Sequence, residues 1–491
     1  MGLDKNFPRQ PHKIIDPEVR WFPGSDNMGD KGRDKLLPPL VNKIRKDVCV
    51  WRNAGYPNIS EVTNSLLNYW FKTEHPNGFQ YYFAQRESVE TIIYLYEHEN
   101  IRNPSELLKY DSSGVLVESL FEETWLRLVT KQATGTGKTK VLSLLIAWCY
   151  FHKEFIKNSE LSKNFLLLAP NTIVLDRLKT DIEGLSVFNS DPVLPPNGYS
   201  GRSWNFYPKV HIQDNIGSLS KNGNIFLTNI QRFVTRNEEI NENSSIDYFL
   251  GDKPVTKTSD NKILVRDIVK NVEDIIVLND EAHHIHEKNL AWFKTIENIN
   301  NSLVQKGSKL PLQLDVTATP KDQKGNIFPH TVSDYPLVEA IAQEVVKTPI
   351  LPDEASRGKL EENISAKFSE RWRDFIDLGV TVWNQDYDNH KKLGKKALLF
   401  VMVDDTKNCD DVKQYLENNY PILKGGTFII HTNKEGHIDE SATSKSQKQL
   451  LELRKLANQV DRDDNNIKAV ISVLMLKEGW DVKNVTTVVG L

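Results

Sequence analysis

Positive charge is what this sequence lacks most visibly: 62 lysines and arginines stand against 66 aspartates and glutamates, leaving a net charge of −4 and a pI near 6.3. No uniformly basic footprint announces a nucleic-acid partner, so any grip on a phosphate backbone has to come from main-chain amides, hydroxyls and a few local cations. Cysteine is equally scarce. Cys49, Cys149 and Cys409 lie far apart with no CxxC pair, which excludes a disulfide framework and a thiolate zinc site and leaves three ordinary reduced thiols. No run of about 18 apolar residues is present, so nothing in the chain reads as a membrane span. The opening MGLDKNFPRQPHK is polar and unlike a secretory signal, and Asn6 stands where a myristoylation motif wants Ser or Thr. A cytoplasmic protein is the expectation. Internal repeats and low-complexity tracts are missing as well.

What is present is enough chain, 491 residues, for roughly two to four domains, each with its own core. The first stretch, 1–77, is rich in Pro and Trp (Arg20-Trp21-Phe22-Pro23, then Val50-Trp51-Arg52), too aromatic for a disordered tail, and reads as an ordered accessory segment. From 78 to 350, short apolar runs alternate with longer amphipathic ones, the signature of parallel strands joined by helices. Strands are predicted at Leu126–Val129, Phe165–Leu168, Ile225–Thr228, Ile275–Leu278 and Leu312–Val316, with Ser186–Gly223 and Thr235–Ser245 as surface excursions. The Pro- and Gly-containing break PILPDEASRG opens a second unit, 351–491. It has a predicted helix Leu360–Trp383, strands Ala397–Val403, Thr427–Ile430, Ala469–Leu474 and Val485–Val489, and helices Cys409–Asn419 and around Ser446–Gln459. Both units read as α/β with parallel sheets.

Two motifs carry the chemistry. Between the strand at 126–129 and the apolar stretch Val141–Phe151 lies Ala133-Thr134-Gly135-Thr136-Gly137-Lys138-Thr139, the setting a phosphate-binding loop needs. Glycines let main-chain amides face phosphate oxygens, the helix N-terminus adds positive potential, Lys138 reaches the β/γ oxygens, and the Thr139 hydroxyl can ligate Mg²⁺. The pattern is imperfect, because Gln132 stands where the first glycine belongs. Downstream, an apolar strand closes on Asn279-Asp280-Glu281-Ala282-His283-His284. Asp280 suits the Mg²⁺ and Glu281 the attacking water, with His283 completing the catalytic set. His283, His284 and His286 lack further paired ligands and are read as hydrogen-bonding residues, not as a zinc site.

The wider set of segments resembles superfamily 2 helicases, and most closely the restriction subunit of type III restriction-modification enzymes. The carriers are DEAHH at 280–284, Tyr335-Pro336-Leu337-Val338-Glu339-Ala340-Ile341, and Met475-Leu476-Lys477-Glu478-Gly479-Trp480-Asp481-Val482. The stretch around Gln85 is similar to the family segment whose glutamine reads the adenine edge, which implies ATP as the nucleotide. Leu166–Thr172 looks like motif Ia and Phe226–Gln231 like a strand-contacting motif, which would put Pro170, Asn171, Thr228, Asn229 and Gln231 on the nucleic-acid side. Asp315–Pro320 resembles motif III, with Thr317 and Thr319 as coupling hydroxyls. Lys396–Thr406 is similar to motif IV, and the match at 475–482 to motif V implies that Gly479 and Asp481 face the nucleotide from the second domain. The resemblance therefore implies tandem RecA-like P-loop domains, Mg²⁺ and ATP as cofactors, duplex DNA as partner, and a methyltransferase subunit as a further partner. A general DNA or RNA helicase, or a non-catalytic ATP-dependent DNA-binding fragment, shares the same motifs and stays open.

One family feature is missing from the sequence. After motif V the family has an arginine-bearing motif VI and later a PD-(D/E)XK nuclease, but here the chain ends at Thr486-Thr487-Val488-Val489-Gly490-Leu491 with no Q-x-x-G-R-x-x-R segment. An arginine finger contributes about 10³–10⁵-fold to turnover, so weak hydrolysis is expected of a second domain truncated in this way. The strand at 485–489 is further expected to lack a covering helix.

Overall fold

The structure, a computed structural model, describes residues 7–21, 38–170, 172–212, 218–229, 272–282, 291–321, 327–358, 360–430, 460–462, 464–473 and 482–491. The described residues fall into two compact units, one within 7–348 and one within 349–491.

In the first unit seven strands form one all-parallel sheet: β1 (Arg127–Gln132), β2 (Asn164–Ala169), β3 (Lys209–Ile212), β4 (Asn224–Asn229), β5 (Ile276–Asp280), β6 (Gln313–Thr317) and β7 (Thr331–Tyr335). The spatial order is β3-β4-β2-β5-β6-β1-β7. Every residue of β4, β5, β6 and β7 is buried, as expected of parallel strands covered on both faces. All five predicted strands are present. The excursion predicted at Ser186–Gly223 is corrected in part, because Lys209-Val210-His211-Ile212 pairs with β4 as the edge strand β3. Strand β7 was not foreseen. It pairs with β1 next to the phosphate loop, and its one charged residue, Asp334, is buried with cations beside it: Lys131 Nζ lies 2.8 Å from the carboxylate, while Arg20 and Arg45 donate to the Asp334 carbonyl at 2.8 and 3.1 Å.

The N-terminal segment belongs to this unit's core. Helices Val41–Asn53 and Glu61–Lys72 contribute Ile44, Val48, Leu66 and Trp70 to the same apolar cluster as the helix Lys138–Phe155. Residues 7–20 run beside the helix Phe83–Ile93. The Phe83 amide donates to Pro11 O at 2.7 Å, and Gln343 donates to Gln10 O and Lys13 O at 3.0 and 3.1 Å. Arg20 closes the arrangement between Glu87 at 2.5 Å and Glu339 at 2.8 Å, and the Trp21 amide joins Glu339 at 2.9 Å. Burial opposes the charge on Arg20, but the attraction of Glu339 and Glu87 together outweighs it and holds the guanidinium above its ordinary pKa.

The second unit holds a four-stranded parallel sheet of β8 (Leu398–Val403), β9 (Thr427–Ile430), β10 (Ala469–Val473) and β11 (Val485–Gly490), in the order β11-β8-β10-β9. The α/β class with parallel sheets thus holds for both units. Two expectations are corrected. The helix predicted over Leu360–Trp383 begins only at Phe368 and runs, after a break at Trp372, through Arg373–Lys392; the Asn363 amide instead turns back onto Arg371 O at 2.8 Å. The last strand is an edge strand, but it is covered on one face. Val489 is buried against Gly379 of the helix Arg373–Lys392, so close that a Cβ at Gly379 would collide with it, while Val488 stays exposed. The predicted helix around Ser446–Gln459 lies outside the described residues.

Candidate nucleotide site

The phosphate loop joins β1 to the helix Lys138–Phe155, and its glycines are there for their backbone. Gly135 and Gly137 have φ of 83° and 87°, in the left-handed region, and Gly137 caps the helix from that conformation. A side chain at Gly137 would also strike the Gln85 amide nitrogen. The helix behind the loop is buried from Val141 to His152, so the fold fixes where its N-terminus points. Thr136 is buried and its hydroxyl donates to Ala133 O at 2.7 Å, which tightens the turn; Thr134 and Gly135 are exposed and Thr139 is half-buried.

Gln132, the departure from the strict pattern, has a structural explanation. It is the last residue of β1, and its amide nitrogen donates to Ala84 O and Ser88 Oγ of the helix Phe83–Ile93, both at 2.9 Å. Gln85 anchors the other side of the loop. Its amide nitrogen donates to Thr136 O at 2.9 Å and its amide oxygen accepts from the Tyr82 main-chain N–H at 3.0 Å. Two glutamines therefore peg the loop to one helix. The adenine-reading role implied for Gln85 falls to a side chain that is 2% exposed and already bonded at both ends of its amide.

Strand β5 brings the acidic pair to the loop. Lys138 Nζ lies 2.8 Å from Glu281 Oε1, with both side chains almost wholly enclosed. The Glu281 amide donates to Asp280 Oδ1 at 3.0 Å, and the Glu281 backbone has φ of 51°, a conformation that costs a non-glycine residue roughly 1–3 kcal/mol. Asp280 Oδ2 accepts a charged hydrogen bond from Arg177 on the helix Thr172–Ile182, a residue the sequence offered no reason to single out. Beneath this layer Asn279 donates to Asp315 Oδ1 at 2.6 Å and Arg127 to Asp315 Oδ2 at 2.7 Å, locking β5, β6 and β1 in register. Thr317 ends β6 buried, and its hydroxyl accepts from the Thr319 amide at 3.1 Å, while Thr319 itself is exposed.

These donors fit the expected groups. Left-handed glycines leave room for main-chain amides to face a triphosphate, Lys138 supplies an ammonium, and the Thr139 hydroxyl and Asp280 carboxylate are hard oxygen ligands suited to Mg²⁺. Of the residues expected on a nucleic-acid face, Pro170, Thr228 and Asn229 are buried at neighbouring strand ends, Ala169 being in register with Asn229; Asn171 and Gln231 lie outside the described residues. So do His283, Gly479 and Asp481. Among the described residues no cluster of His, Cys, Asp or Glu is arranged to hold a metal by itself, and no helix is long and apolar enough to cross a membrane.

Residues 83–322, just under half of the chain, match the family described as the res subunit of type III restriction enzymes. No curated protein matches the sequence. Solved structures similar to the chain include a fragment assigned to the HsdR subunit of a type I restriction enzyme from Vibrio vulnificus YJ016, at 13% identity over 89% of this chain and 62% of that one, with a TM-score of 0.38. T4 UvsW is similar at 14% identity over 93% of this chain and 72% of that one (TM-score 0.25), as is the yeast DEAD-box splicing factor Prp28 at 14% over 80% and 71% (TM-score 0.23). At these TM-scores the likenesses carry no argument, and the chain spans less than two thirds of the first structure's length. The matched segment encloses the glutamine-bearing helix, the phosphate loop, the acidic pair and Thr317–Thr319, and it is over these residues that the chain is similar to the res subunit family.

Proposed function

We propose that the chain is the ATP-driven DNA translocase motor of a type III-like restriction enzyme, binding Mg·ATP at the phosphate loop of its first unit and moving along duplex DNA. The observation that carries this reading is the 2.8 Å contact between Lys138 and Glu281, which joins the phosphate loop to the acidic end of β5 across 143 residues of sequence. A glycine-rich turn with no ligand has no use for a buried lysine held against a carboxylate on a strained backbone.

In this mechanism Lys138 exchanges Glu281 for β/γ-phosphate oxygens when nucleotide enters. Glu281, released, orients the attacking water and takes its proton as the γ-phosphoryl group leaves. Thr139 and Asp280 would hold the Mg²⁺, whose charge would offset that developing on the phosphoryl oxygens. Gln85 and Gln132 keep the loop amides aimed, so that no reorganisation is needed as the charge develops. Thr317 and Thr319, at the end of β6 beside β5, relay occupancy of the site toward the ends of β2 and β4, where Pro170, Thr228 and Asn229 lie. Modification by a methyltransferase partner and DNA cleavage belong to the wider system this motor would serve.

The test is steady-state ATPase of the whole chain with duplex DNA, single-stranded DNA or RNA added, for the wild type, Lys138→Ala and Glu281→Gln. Stimulation by duplex DNA that both substitutions abolish supports the motor. Stimulation by RNA alone rejects the restriction reading, and equal rates in all three proteins reject catalysis at this site.

A further inference from the structure

Asp280 is the carboxylate assigned to the Mg²⁺, yet one of its oxygens is already taken. Arg177 reaches it from the helix Thr172–Ile182, while the other oxygen accepts the Glu281 amide at 3.0 Å. The Asp280 side chain is wholly enclosed and that of Arg177 about a quarter exposed, so the pair sits at the edge of the protein interior, where a guanidinium can be exchanged without burying a bare charge. The helix that carries Arg177 starts two residues after Pro170 and packs against β2 and β4, the strands whose ends carry Pro170, Thr228 and Asn229. Asp181 of the same helix lies in the field of Arg177, Asp280 and the loop helix's Lys140, itself paired with Asp191.

We infer that Arg177 is a positioning residue that competes with the divalent cation for Asp280, so that loading Mg²⁺ with the nucleotide breaks the Arg177–Asp280 pair and loosens the helix Thr172–Ile182 from β5. The inference rests on the nucleotide-site reading above. Its physical basis is that a guanidinium and a divalent cation drawn to the same carboxylate repel each other, so that each weakens the hold of the other on Asp280. With the pair gone, the cation no longer has to displace a partner. Removing Arg177 should therefore improve cation binding, an effect that damage to the fold does not produce.

The experiment titrates Mg²⁺ at constant ionic strength into the full chain with a fluorescent ATP analogue, for the wild type, Arg177→Gln and Arg177→Lys. Arg177→Gln is expected to lower the Mg²⁺ concentration at half-maximal binding about fivefold, as for loss of one partly exposed ion pair. Arg177→Lys, which keeps a point charge without the fork, should fall between the two. A midpoint that is unchanged or raised while the analogue still binds overturns the inference and leaves the nucleotide site standing. Failure of the wild type to bind the analogue at any Mg²⁺ concentration overturns both. A second measurement on the wild type alone covers a variant that does not fold: hydrogen exchange of amides 172–182 should speed up when Mg²⁺ is added to the analogue-bound chain, and equal or slower exchange contradicts the inference.

Discussion

Both units are built on parallel sheets, but they fill them differently. In the first, thirteen arginine, lysine, aspartate and glutamate side chains are buried among the described residues, from Arg20 and Arg45 through Lys138, Asp280 and Glu281 to Glu339. In the second, the buried polar residues among those described are Ser369, Thr427 and Ser472, and the core is Trp383, Leu399, Val401, Ile471 and their neighbours. An enclosed charge costs several kcal/mol unless it is paired, so a fold needing only stability would resemble the second sheet. In the first unit several of the enclosed charges are paired around the candidate site. Arg20 closes the clamp on Glu87 and Glu339, Arg127 aligns Asp315 under the acidic strand, and Lys138 and Glu281 wait on each other.

Breaking one of those pairs should hurt the first unit more than any comparable change hurts the second. Arg20→Ala leaves Glu339 enclosed without its cation and is expected to destabilise the first unit by about 3–5 kcal/mol, read as faster hydrogen exchange in β1 and β7 with β8 and β10 unchanged. Glu281→Gln removes the group proposed to orient water and should slow hydrolysis roughly 100-fold while leaving Lys138 freer for phosphate, so that nucleotide binds at least as tightly. The second unit is sensitive to volume instead. Gly379→Leu drives a side chain into Val489 and should cost about 2 kcal/mol there without altering nucleotide affinity. Gln132→Ala, which strips two hydrogen bonds from the helix Phe83–Ile93, should cost about 1 kcal/mol and weaken nucleotide binding a few-fold. If Gly379→Leu changed nucleotide affinity more than Gln132→Ala, the division between the units would be wrong.

The phosphate loop and the acidic strand were legible because each lies in one contiguous stretch whose spacing is dictated by main-chain geometry. The predicted strands were legible for a similar reason, since strands covered on both faces read as unbroken apolar runs such as Phe165–Leu168. Strand β7 was hidden because Thr331-Val332-Ser333-Asp334-Tyr335 is mostly polar, and the cations that accompany the burial of Asp334 come from the distant residues 20, 45 and 131. The Arg177–Asp280 pair joins residues 103 apart with no local pattern. The sequence points to Gln85 as a residue but not to its bonds with the loop, because a side-chain amide can serve a base edge or a carbonyl equally well. The late helix start at Phe368 reflects local competition: the Ser365 hydroxyl accepts the Lys367 amide in a turn before helical pairing begins.

The most direct test of the central claim is equilibrium binding of ATP to the whole chain with and without Mg²⁺, for the wild type and Lys138→Ala. Mg²⁺-dependent binding by the wild type, weakened about 30-fold by loss of one charged hydrogen-bond donor, is the expected result. Equal affinity in the two proteins would contradict the assignment of the loop at Gly135–Thr139 as the nucleotide site.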